Sequence, residues 1–158
     1  MRVLLAVSAL LLAACTPPAN TTEAPAAEAS AVAPEIASAV TAAMPGVTIV
    51  RGVADGDGEY EVTGALNGQE YEFDLMGPEG GWRVVEIQRD IVWGDAPAPV
   101  RDVVATAPNA FLPERVIESR QPVDGAVVYE LFAAGQSEAP AMEVRFMDGE
   151  AAIMPPAH

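Results

Sequence analysis

The chain has 158 residues with 23 acidic against 8 basic side chains, a net charge of −15, one cysteine and one histidine. Such an acid excess opposes binding to nucleic acid or to anionic lipid surfaces, where phosphates need basic groups to neutralise them. One cysteine permits no disulfide within the chain, and one histidine leaves triads and zinc sites of the usual kinds without their parts. No metal or other cofactor is therefore expected.

Residues 1–14 read as a leader. Arg2 supplies a positive start, and residues 3–12 form an apolar run broken only by Ser8. That run suits the hydrophobic stretch of a signal peptide and is too short for a transmembrane helix. Leu12-Ala13-Ala14-Cys15 resembles the lipobox of bacterial lipoproteins, in which the signal is cut before the cysteine and its thiol is acylated. The resemblance implies a membrane partner held through lipid on Cys15, which then serves neither as nucleophile nor as metal ligand. It places the protein on the periplasmic face of a bacterial membrane. An aspartate after the cysteine favours the inner membrane in lipoproteins of the enterobacterial type. Thr16 stands there instead, which leans toward the outer membrane.

Residues 15–34 follow as a spacer. Prolines at 17, 18, 25 and 34, much alanine and threonine, and no apolar periodicity cannot bury enough surface to offset the entropy of ordering. Extended at about 3.1 Å per residue, such a spacer would span roughly 50 to 60 Å.

Residues 35–95 predict a first unit. Ile36, Ala39, Val40 and Ala43 recur at helical spacing over 35–43, and Pro45-Gly46 stops that helix. Strands are expected over 47–53, 60–66, 69–75 and 82–89. Asn67-Gly68 suits a type I′ turn, because both positions need positive φ. That turn pairs Leu66 with Gln69, Gly64 with Tyr71, Val62 with Phe73 and Tyr60 with Leu75. The large apolar residues then share one face, while Glu61, Glu70, Glu72 and Asp74 share the other, which should be wet. Residues 96–158 predict a second, diverged unit with a frayed end at His158. Its helix covers 100–107, with Val100, Val103, Val104 and Ala107 on one stripe, and its strands cover 115–120, 126–133, 142–147 and 150–154. Glu59-Tyr60-Glu61-Val62 in the first unit aligns with Val128-Tyr129-Glu130-Leu131 in the second. The fold class is thus α+β, two tandem units each of one N-terminal helix packed on a three- to four-stranded antiparallel meander.

A short helix, Pro-Gly, the Tyr60-Glu61-Val62 strand, the Asn67-Gly68 turn, Tyr71-Glu72-Phe73-Asp74 and the closing Val84-Val85-Glu86-Ile87 strand resemble the PepSY-like domain. That domain belongs with small α+β folds similar to β-lactamase inhibitor protein. The resemblance implies a noncatalytic envelope protein that binds or restrains another protein or peptide. Nothing in the residues adds a catalytic motif. Asp55-Gly56-Asp57-Gly58-Glu59 starts like a calcium loop, but Tyr60 and Leu66 stand where its glycine and bidentate glutamate belong. The candidate partner-binding residues are Glu61, Glu70, Glu72 and Asp74, which suit a basic surface, and Trp82, since aromatics anchor many interfaces. The alternatives are a structural accessory of outer-membrane assembly and a carboxylate-dependent hydrolase.

Overall fold

The computed structural model describes residues 32–155 apart from 57, 78–80 and 137. Helix α1 (Pro34–Ala43) starts with a proline at its first position, where the missing N–H costs nothing. Ile36 and Val40, one turn apart, give it a single buried stripe. Met44 leaves the helix in an extended conformation, and Gly46 takes φ +88° to turn the chain into β1 (Thr48–Ala54). The meander continues through β2 (Glu59–Leu66), β3 (Gln69–Met76) and β4 (Arg83–Ile91). Helix α2 (Ala98–Ala105) buries Val100 and Val104 in the same way. Then come β5 (Arg115–Arg120), β6 (Val127–Phe132), β7 (Met142–Met147) and β8 (Glu150–Ile153).

All eight strands form one antiparallel sheet in the order β1 to β8. The expectation of two tandem α+β units, each with its own small meander, is corrected by this sheet. The physical reason lies in β4. Its nine residues are enough to serve two neighbours, so Arg83–Gln88 pairs with β3 while Ile87–Ile91 pairs with β5. A strand expected to close the first unit therefore joins the two halves of the sheet, with Ile87 and Gln88 paired to a neighbour on each side. Across this seam Arg89 donates from Nε and Nη2 to the two carboxylate oxygens of Glu118, at 2.9 and 3.1 Å. Arg120 donates to the same carboxylate at 3.0 Å.

The Asn67-Gly68 hairpin has the expected register, from Leu66 opposite Gln69 to Tyr60 opposite Leu75, with positive φ at both turn residues. Its apolar face meets α1. Ile36, Val40 and Met44 pack on Val62, Phe73, Leu75 and Ile87, and Val32 and Ala33, counted above with the spacer, pack against this cluster. Ala96, Val100 and Val104 pack on Val116, Tyr129, Leu131, Met142 and Val144 as a second cluster. Ile87 and Ile91 lie four residues apart on β4 and touch the first and second clusters respectively, so both helices cover the same face of the sheet. The other face has no second layer among the described residues. Cys15, the leader, most of the spacer and His158 lie outside the described residues.

Candidate binding face

Strand alternation decides which side chains reach the face opposite the helices. One cross-strand row runs Glu61, Asp74, Glu86 over β2, β3 and β4. The next runs Thr63, Glu72, Gln88, Ser119, Val128, Arg145 over β2 to β7. A third runs Asp90, Ile117, Glu130, Glu143 over β4 to β7. Like charges thus stand directly opposite one another at Glu61–Asp74–Glu86 and at Glu130–Glu143. Such pairs oppose sheet formation.

Two bulges shape this face. Val50 is left without a partner between Ile49 and Arg51, and Val85 between Val84 and Glu86. Bulges bend a strand and increase its local twist. Two recesses open on the same side and meet at Gln88. One, of about 340 Å³, is lined by residues including Glu70, Glu72, Asp90, Arg115 and Ile117. The other, of about 420 Å³, is lined by residues including Glu86, Gln121, Glu130, Glu143 and Arg145. Side chains on the floor are covered despite the missing layer: Thr63 is 5% exposed, Ile117 8% and Ser119 0%.

The electrostatics follow from this crowding. Burial, then Glu86, Glu72, Glu61 and Asp55, push the Asp74 carboxyl up to about 6. Burial, then Glu86 and Glu143, push Glu130 up to about 7, with Arg115 opposing. Glu72 is raised too, by burial first and Glu61 next, with Arg51 and Arg115 working against them. The arginines of this face are engaged at its margins. Arg115 donates to both oxygens of Asp90 at 2.7 and 3.3 Å, and Arg145 donates to Asp124 at 2.9 Å. Arg51 comes only to 3.7 Å from Glu61. In the centre, Ser119 Oγ donates to Glu86 Oε1, and Gln121 Nε2 donates to both, at 3.0 Å to the carboxylate and 2.9 Å to the hydroxyl. Thr63 Oγ1 is buried and has no hydrogen-bond partner among the described residues.

Comparison of the chain with protein-family models, curated proteins and solved structures gives no match. The geometry alone must carry the argument. It brings Glu61, Glu72 and Asp74 together and leaves Glu70 exposed at the end of β3. It does not bring Trp82 to them. Trp82 sits on the helix side, edge-to-face with Tyr60 at 5.9 Å and 73°, and packs against the first core cluster. Trp93 is likewise half-buried against the second cluster. Glu86, Glu130 and Glu143 belong to the face and were not singled out from the sequence. A signal existed for two of them: Glu130 occupies the place of Glu61 in the repeated Tyr-Glu strand, and Glu86 lies two residues before Gln88 on an alternating strand.

Chemically, the face offers closely set carboxylates in a partly desolvated setting, with a buried hydroxyl among them. Such a surface attracts a cationic group and repels an anionic one.

Proposed function

We propose that this chain is a lipid-anchored, noncatalytic protein of the bacterial cell envelope whose helix-free sheet face binds a basic protein or peptide. The single observation that carries the reading is the crowding of Glu61, Glu72, Asp74, Glu86, Glu130 and Glu143 on one uncovered face. The fold tolerates this repulsion at a cost to its own stability, and a basic partner would relieve it. The PepSY-like resemblance points the same way, toward envelope proteins that bind or restrain others. The lipobox-like Leu12-Ala13-Ala14-Cys15 supports an anchor at Cys15 with the folded part on the periplasmic side, and Thr16 in place of an aspartate leans toward the outer membrane.

Photocrosslinking in cells tests the proposal. A crosslinker at Gln88, on the acidic face, should capture a basic envelope protein, and one at Trp82, on the helix side, should not. Joint Glu61→Gln, Glu72→Gln and Asp74→Asn substitution should abolish the Gln88 product. Capture that survives these substitutions would overturn the reading.

A further inference from the structure

The proposal that the acidic face is a docking surface leaves open which cation it recognises, and the Thr63 hydroxyl bears on that question. Thr63 lies on β2 between Glu61 and Ala65, opposite Glu72 on β3 and Arg51 on β1. It is 5% exposed, and its Oγ1 has no partner among the described residues. A buried hydroxyl left unpaired is a standing penalty, and most such groups in folded proteins are satisfied. Neighbouring carboxylates can accept its proton, but only a donor can serve its lone pairs.

Resting on the docking reading, we propose that this spot is a receptor for an arginine side chain, its guanidinium seated over Thr63 between the carboxylates of Glu61, Glu72 and Asp74. A guanidinium presents five N–H groups in one plane, so it can engage two carboxylates and a hydroxyl together. An ammonium has three donors on one compact centre and is more strongly hydrated. Among the described residues no three acidic groups converge closely enough to chelate a metal ion. The chain's own candidate, Arg51, stops 3.7 Å from Glu61 and makes no hydrogen bond there, with its side chain 46% exposed. The charged groups facing Asp74 are Asp55 from the β1–β2 turn, Glu61 from β2, Glu72 from β3, Glu86 from β4 and, more weakly, Glu130 from β6. A cation entering among them favours the ionised carboxylate, so binding should release protons and strengthen as pH rises through the range in which Asp74 titrates.

The test is calorimetric titration of the full chain in neutral detergent with oligoarginine and oligolysine peptides of equal length, between about pH 5 and pH 8. Oligoarginine should bind about tenfold more tightly than oligolysine, the difference one good charge-assisted contact makes. Thr63→Val should erase that preference, and Thr63→Ser, which keeps the hydroxyl, should retain it. Asp74→Asn should weaken binding and flatten its pH dependence. Asp102→Asn, on the exposed side of α2, alters net charge equally and should change nothing. Equal affinity for the two peptides, or a preference that survives Thr63→Val in a chain with unaltered circular dichroism, overturns the arginine receptor and leaves the basic-partner reading standing. Failure of both peptides to bind at low salt overturns both.

Discussion

Replacing Asp74 with asparagine should make the protein more stable at neutral and alkaline pH. In the folded chain the Asp74 carboxyl titrates at about 6, against an ordinary value of 3.8. Over the interval between those values the folded protein holds a proton that the unfolded chain has released. Stability therefore falls as pH rises from about 4 to about 6, and the loss is complete above that range. At about 1.4 kcal/mol per pKa unit the full displacement would amount to about 3 kcal/mol. The side chain is only half-buried, so solvent screening reduces this to about 1 kcal/mol. Urea denaturation followed by circular dichroism at pH values near 5 and 8 measures the difference. The titration window is already more than half crossed at pH 5, so the parent protein should be about 0.5 kcal/mol more stable there than at pH 8. Asp74→Asn should gain about 1 kcal/mol at the higher pH and about half of that at the lower. Glu130→Gln should act in the same direction over a window from 4.5 to about 7. The two gains should not add fully, because Glu86 faces both carboxyls. An Asp74→Asn protein that is less stable near pH 8 than the parent would refute the reasoning.

Three other outcomes follow from the packing and the leader. Glu118→Ala strands Arg89 and Arg120 at the β4–β5 seam, and should cost about 2 kcal/mol in chemical denaturation, less than a fully buried pair would lose. Burial raises the Glu118 carboxyl, but its hydrogen bonds and attraction to Arg89 and Arg120 outweigh this and hold it below 4.5. This contribution is thus present above that value and lost as pH falls beneath it, opposite in sign to Asp74. Gly64→Ala places a Cβ 2.8 Å from Val47 Cγ2 and 3.3 Å from the Thr48 carbonyl oxygen. The backbone contact cannot yield cheaply, so thermal unfolding should show a loss of about 1–3 kcal/mol. Cys15→Ser should abolish incorporation of labelled fatty acid and release the chain from the membrane fraction; retained label would remove the anchor from the proposal.

The sequence carried the local structure well because short-range rules govern it. Asn67-Gly68 set the β2–β3 register, and the period-two alternation sorted Val62, Phe73 and Leu75 from Glu61, Glu72 and Asp74. Helical spacing likewise placed Val100 and Val104 on one buried stripe of α2. The sheet-wide arrangement was not legible, because nothing local says that β4 also pairs with β5. That pairing turns on the length of β4 and on Arg89 meeting Glu118 twenty-nine positions later. Without it, the carboxylates of β2 and β3 looked like one hairpin's wet side. With it, Glu130 and Glu143 join them, and Glu86 stands beside Asp74 through the β3–β4 pairing. Trp82 shows the complementary failure: an aromatic beside a glycine-rich connection gives no hint of its side. The bulge at Val85 shifts the strand register just beyond it, and tertiary packing on Tyr60 holds the ring.

An eight-stranded sheet has two faces to reconcile with water, and α1 and α2 settle only one. The other could have been made neutral with threonine, serine and mixed charges, which carry less cross-strand repulsion. Here Asp74 is instead ringed by Glu61, Glu72 and Glu86, while the arginines are spent at the margins on Asp90 and Asp124. If that crowding exists to receive a cation, stability and binding must trade against each other at the same residues. Asp74→Asn then stabilises the free protein and weakens its hold on oligoarginine, and both effects fade toward pH 5 as the parent carboxyl itself takes up a proton. Stabilisation without loss of binding would mean that the repulsion is incidental to recognition. Paired denaturation and titration of this one variant therefore separates a built receptor from a merely solvated surface.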